Sequence, residues 1–307
     1  MANDTIAEPT DLTVDPATPR SAGPLVLLAA TRPRQWLKNV LVLAAPFAAG
    51  RWLQPHVAIG AAVAFAAMTL TAAGAYLIND VRDVEPDRRH PRKRLRPVAS
   101  GRLSIRRATV AGGVLLVAGP TLAGTVNGWQ LVLVVAAYAA LTLGYSRSLK
   151  NVPGLELAAV AAGFVLRPLA GAAATGVPPS GWFLGVVCAG ALMVTLGKRS
   201  AELSLPRARL HRPALRGYTA AGLRRARQAA AAVMLGCYLG WALTRPSAIA
   251  VSAGLSAVAV TGAVLRYGWC SDRGLGGEPE RLLLADRLLQ VCAVAWLVAF
   301  LVGPGHV

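Results

Sequence analysis

Residues 58–79 read AIGAAVAFAAMTLTAAGAYLIN, without one charged side chain, and residues 79–87 continue NDVRDVEPD into a strongly basic stretch. A run of that length and polarity crosses the hydrocarbon core of a bilayer as a helix, the form that satisfies its own backbone there. Its alanines and glycines let neighbouring helices approach closely. Similar runs recur at about 36–54, 106–125, 128–146, 153–174, 181–200, 227–244, 247–266 and 284–303. With 55% hydrophobic residues and a mean hydropathy of +0.50, the chain is too apolar for an ordinary soluble domain. The pattern predicts an all-α, polytopic transmembrane bundle of about nine helices over residues 24–307. Residues 1–23, acidic and rich in Pro, Thr and Ala, read as a disordered tail without the basic start of a cleavable signal.

The formal net charge of +18 invites a nucleic-acid reading, so the placement of each charge decides. With a cytoplasmic N-terminus and nine spans, 29 of the 32 Lys and Arg fall on the cytoplasmic side, and the opposite loops hold Arg51 and Arg245. Arg167 lies inside a span. That asymmetry is the positive-inside pattern of a multi-pass protein of the cell membrane. The charge is therefore topology, the partner is the lipid bilayer, and no nucleic acid is needed. Four acidic residues lie in the tail and the other ten near cytoplasmic span ends, so any chemistry faces the cytoplasm. Cys188, Cys237, Cys270 and Cys292 lack metal-ligand spacing and read as packing residues. His56, His90, His211 and His306 are isolated.

Four clusters carry candidate chemistry. Asp80, Asp83 and Asp87 are spaced i, i+3, i+7 and share a face if the helix continues, with Asn79 beside them. Such carboxylates repel unless a cation sits among them, and an oxygen-only set suits Mg²⁺, which takes a few carboxylates plus substrate phosphates. The simpler reading is a solvated acidic helix end. Pro86 predicts that the helix stops near Glu85 and leaves Asp87 on a loop. Next, YSRSLK at 145–150 supplies Tyr145 and Lys150, and Glu156, Gly163 and Arg167 follow on one helical stripe. A carboxylate and a guanidinium that deep are costly in lipid and read either as functional or as a Glu156–Arg167 pair. GKRSAE at 197–202 supplies Lys198 and Arg199, with Glu202 one turn beyond Lys198. Arg34, Lys38 and Asn39 in RPRQWLKN mark the first boundary, and Asp286 and Arg287 read as structural.

NDxxDxxxD after an apolar helix, and YSxxLK followed by an acidic residue, resemble the UbiA superfamily of intramembrane prenyltransferases. RPRQWxKN, KRxRPxAxG (93–101), GFxLR (163–167), GKRxxE, RGYT (216–219) and GGxPExLLLxDR (276–287) are similar to its decaprenyl-phosphate phosphoribosyltransferase branch. The resemblance runs in order over about 24–303. It implies nine helices around a cytoplasm-facing cavity, and transfer of 5-phosphoribose from phosphoribosyl diphosphate to a polyprenyl phosphate with release of diphosphate, a precursor step for cell-wall arabinan. It also implies Mg²⁺ at Asp80, Asp83 and Asp87 assisted by Asn79, and a homo-oligomer, a trimer. Arg34, Lys38, Asn39, Tyr145, Lys150, Arg167, Lys198 and Arg199 become the expected phosphate-binding residues. Glu156 stands where the family usually has Asp and is a candidate second acidic site; GLRRAR at 222–227 is more basic than the family pattern. Two rivals stay open: a prenyltransferase acting from a prenyl diphosphate on an aromatic or other small acceptor, and a non-catalytic lipid-binding protein or transporter.

Overall fold

Helices account for every regular element, and the order follows the apolar runs. The computed structural model describes residues 23–126, 128–205 and 212–303, so nearly all of the expected tail, together with His211 and His306, lies outside the described residues. The chain forms α1 (Pro24–Ala30), then a broken helical run (Pro33–Trp36, a 3-10 stretch Leu37–Leu43, and Ala44–Ala48), and then α2 (Pro55–Arg82). Next come α3 (Val84–Arg89), α4 (Ile105–Ala123), α5 (Trp129–Arg147), α6 (Leu155–Thr175) and α7 (Gly181–Leu203). The chain closes with α8 (Ala220–Leu243), α9 (Ala250–Asp272), α10 (Pro279–Ala285) and α11 (Arg287–Val302). No strand occurs among the described residues.

Pro55–Arg82, Trp129–Arg147, Leu155–Thr175, Gly181–Leu203 and Ser247–Asp272 are each long and apolar enough to cross a membrane. α10 and α11, bent by 86° between them, make a sixth if taken as one broken span. Nine spans were expected; α4 and α8 are helices at the expected places but start with Arg106 and Arg107, and with Arg224, Arg225 and Arg227, which dilute their apolar length.

α2 packs against α4, α5 and α6, while α7, α8, α9 and α11 form the other half, and the α6–α7 contact joins the two. One core gathers Met68, Leu131, Val135 and Tyr138 with the alanines of α2; the second gathers Met193, Leu196, Leu223, Val264 and Leu289. Small residues set the spacing. A Cβ on Gly74 would lie 2.7 Å from the Gly112 carbonyl oxygen of α4, and one on Gly171 would collide with the Val42 carbonyl. Outward, Val110, Val114 and Val117 of α4 and Val251, Leu255 and Val258 of α9 are exposed. A folded exterior of branched aliphatics is what a lipid-facing surface requires.

The end of α2 meets the end of α5 through Asn79 and Ser146, and the start of α6 meets the end of α7 through Glu156 and Arg199, so these ends gather the charged residues Asp83, Lys150, Glu156 and Arg199.

Candidate active site

The α2 helix ends at Arg82, three residues before the point that Pro86 predicts, and Asp83 becomes the hinge, its N–H still donating to the Asn79 carbonyl at 2.9 Å. Asp87 sits on α3 and not on a loop. Pro86 falls in the first turn of α3, where a backbone N–H has no helical acceptor, so there the proline costs nothing and helps the helix start. The break re-aims the acidic segment. Asn79, Asp83 and Asp87 line a cleft of about 520 Å³, whereas Asp80, one residue round the helix, does not; Asp80 and Asp87 are both buried, at 2% and 3% exposure.

Each aspartate is met by a cation. Asp80 pairs with Arg32 and, at 3.3 Å, with Arg96 Nη1. The same Nη1 lies 2.6 Å from Asp87 Oδ2, and Lys93 Nζ is 4.0 Å from Asp87 Oδ1. Lys150 Nζ holds both oxygens of Asp83 at 2.9 and 3.0 Å. Asn79 Oδ1 accepts from the Ser146 hydroxyl. Arg32 itself has φ of 57°, a left-handed backbone that a residue before proline rarely adopts, and its guanidinium lies 4.9 Å over the Tyr76 ring. Partial burial lowers the Lys93 pKa, and the neighbouring Arg96 lowers it further.

The other wall comes from α7 and the Pro213–Gly217 turn. Glu156, fully buried at the start of α6, faces Arg199 Nε at 2.9 Å and is also paired with Arg212. Arg212 reaches the Tyr145 hydroxyl at 3.0 Å and stands 3.6 Å from Glu202, which also pairs with Arg199. Burial disfavours the Arg212 charge, but Tyr145, Glu202 and Glu156 outweigh it and hold the pKa above its ordinary value.

A third grouping lies deeper. Arg167, 5% exposed, donates from Nε to Asn39 Oδ1 (2.9 Å), from Nη2 to the Tyr138 hydroxyl (3.0 Å) and from Nη1 to the Gly163 carbonyl. None of these partners is charged. Lys38, 3.4 Å from Glu280 of α10, lies in the fields of Arg167 and Arg32, and Lys198 lies in that of Lys38.

The model of the "UbiA prenyltransferase family" matches residues 40–275. The chain belongs to that family. The decaprenyl-phosphate phosphoribosyltransferase of Mycolicibacterium smegmatis is 41% identical over 287 residues, covering 88% of this chain and 90% of the relative. That of Corynebacterium glutamicum is 40% identical over 282 residues, covering 88% and 84%. In fold, the chain is similar to a UbiA homolog from Archaeoglobus fulgidus bound to DMAPP and Mg²⁺, with a TM-score of 0.68, 17% identity and coverage of 90% and 98%.

Within this UbiA family member the expected residues divide. Asp80, Asp83 and Asp87 do not gather round one point, and no group of three His, Cys, Asp or Glu among the described residues is placed to hold a metal. The donors that share the cleft are Asn79, Asp83 and Asp87. They offer oxygen only, and Mg²⁺ needs just one or two carboxylates when substrate oxygens complete its shell, so this set fits that ion. Of the eight expected phosphate binders, Tyr145 and Lys150 line the cleft. Lys38, Arg167 and Asn39 belong to the deeper grouping, Arg199 is buried against Glu156 and Glu202, and Arg34 and Lys198 are exposed. Glu156 pairs with Arg199 and Arg212 and not with Arg167, which lies eleven residues and about 16 Å further along the helix. Glu202 pairs with Arg199 and not with Lys198. Asp286 caps α11 and holds Arg266 at 2.8 Å, the structural role its position suggests.

Arg89, Lys93, Arg96 and Arg212 line the cleft without having been singled out. The KRxRP run signalled Lys93 and Arg96 as a motif without a role. Arg212 sits in a basic loop that charge counting assigns wholly to topology, so nothing in the sequence marked it.

Proposed function

We propose that this protein transfers 5-phosphoribose from phosphoribosyl diphosphate to a polyprenyl phosphate, releasing diphosphate, with the cleft facing the cytoplasm. The observation that carries the reading is the set of relatives about 40% identical over nearly the whole of both chains, each a decaprenyl-phosphate phosphoribosyltransferase. The cleft supports it through charge: its lining has five Lys and Arg against three Asp and Glu, a surplus suited to a polyanionic donor. The basic residues on that side of the membrane support the orientation.

The electron pair of the bond from C1 of the ribose to the diphosphate leaves with the diphosphate, and a phosphate oxygen of the acceptor forms the new bond to C1. The acceptor is already anionic at neutral pH, so the protein's task is positioning and charge stabilisation. Lys150, Lys93 and Arg96 receive the leaving diphosphate. Asn79, Asp83 and Asp87 would hold Mg²⁺, which supplies a positive centre for the charge that develops there. Archaeal relatives of the same fold bound to Mg²⁺ with DMAPP or GPP support that ion. Asp80 holds Arg96 and Arg32 in place. Lys38, Arg167 and Lys198 take the acceptor's phosphate, because Arg167 is a buried guanidinium with no carboxylate against it among the described residues, and an anion arriving from the lipid side balances it.

The purified protein, given labelled phosphoribosyl diphosphate, decaprenyl phosphate and Mg²⁺, should yield a lipid-extractable phosphoribose and free diphosphate. Consumption of a prenyl diphosphate in place of phosphoribosyl diphosphate would overturn the reading in favour of prenyl transfer. No diphosphate release with either donor would favour a non-catalytic protein.

A further inference from the structure

The cleft has two walls, and the second has no role in the chemistry of the leaving group. Arg212 lies on it with a quarter of its side chain exposed, against 4% for Arg199 behind it. Its guanidinium is braced from three elements: Glu156 at the start of α6, Tyr145 near the end of α5 and Glu202 near the end of α7. Among the described residues, its hydrogen bonds leave from Nη2. Nη1 stands 3.6 Å from Glu202, beyond hydrogen-bond length, while Nε is buried with no acceptor among the described residues, so Nη1 is the nitrogen left to meet a ligand. Arg212 is thus a fixed, fully charged fork with its Nη1 donors left over, facing a cleft whose opposite wall holds the diphosphate site.

Phosphoribosyl diphosphate has anionic groups at both ends, a diphosphate on C1 and a phosphate monoester on C5. A prenyl diphosphate has one. Only a donor of the first kind can engage both walls. Resting on the phosphoribosyl-transfer reading, we propose that Arg212 binds the donor's 5-phosphate and is the residue by which this protein selects a phosphorylated sugar over a one-headed diphosphate. Glu156 and Glu202 are positioning residues for that fork, since an arginine held at one nitrogen presents the others in a fixed plane.

The test compares two donors, phosphoribosyl diphosphate and ribofuranosyl 1-diphosphate, which lacks the 5-phosphate, with decaprenyl phosphate as acceptor. Arg212→Gln should lower kcat/KM for the phosphorylated donor by roughly 10- to 100-fold, the loss of a charge-assisted contact, and leave the other donor within about threefold. The preference between donors therefore collapses. Lys150→Gln should lower both donors alike and keep the preference. Arg212→Lys keeps the charge within the Glu156 and Glu202 cluster, so it serves where the glutamine variant does not fold, and it should retain part of the preference. Equal losses for both donors in the Arg212 variants, or a rise confined to the KM of the lipid phosphate, would overturn the assignment. A wild-type protein that makes no lipid-linked phosphoribose would instead defeat the underlying reading.

Discussion

Replacing Glu156 by Gln removes one negative charge while keeping the shape of the side chain, and the structure says how much should follow. Glu156 is completely buried and is shared by Arg199 and Arg212. Breaking a buried ion pair from one side costs about 3–5 kcal/mol, because the remaining charge is left without compensation. Two features place this case near the lower figure. Arg199 keeps Glu202, and Arg212 is partly exposed with Tyr145 and Glu202 still beside it. A loss of about 3 kcal/mol corresponds to a fall in Tm of roughly 5 °C for a chain of 307 residues. Thermal unfolding followed by tryptophan fluorescence in detergent measures it directly. The double variant Glu156→Gln, Arg199→Met discriminates further. It removes the stranded cation as well, so its Tm should recover part of the loss, a coupling that independent sites do not show. A Tm within 2 °C of wild type for Glu156→Gln, or a double variant that falls by the sum of its parts, would refute the view that this carboxylate anchors both guanidiniums.

Gly171→Ala should destabilise by about 1–3 kcal/mol, since its methyl group enters the Val42 carbonyl and must push the Leu37–Leu43 stretch off α6; the same thermal assay reads it, and no change in Tm would deny the close approach. Asp83→Asn should raise the Mg²⁺ concentration needed for half-maximal turnover by tenfold or more, whereas Asp80→Asn should lower Tm and leave that concentration nearly unchanged. The reverse ranking would return Asp80 to the ion. Lys93, whose pKa burial and Arg96 hold below the ordinary lysine value, should carry its full charge only below that lowered pKa, and a bound diphosphate should raise it again. Donor affinity should then fall as pH rises through the lowered pKa, with proton uptake on binding seen by calorimetry in buffers of different ionisation enthalpy. Lys93→Gln should abolish that segment of the pH dependence.

What could be read from the sequence, and what could not, follows from the range of the forces involved. The helices were legible because burial in lipid acts on every residue of a run, and twenty apolar positions in succession leave one solution. The acidic segment was legible as a cluster, and its division across the helix break was not. On an unbroken helix Asp80, Asp83 and Asp87 share a face, but the hinge at Asp83 turns α3, and the cleft takes Asn79 and leaves out Asp80. Local propensity marked Pro86 as a break; only the packing of Arg96 against both Asp80 and Asp87 shows how α2 and α3 are locked together. The partners of the buried charges were illegible for the same reason. Glu156 and Arg167 lie on one stripe of one helix, yet Glu156 is neutralised from α7 and from a loop 56 residues away, and Arg167 is met by Asn39, 128 residues away, without a counter-charge. Spacing along a helix can say that two charges share a face. It cannot say which groups meet a guanidinium in lipid, and at Arg167 the described residues that do so are the neutral Asn39, Tyr138 and Gly163.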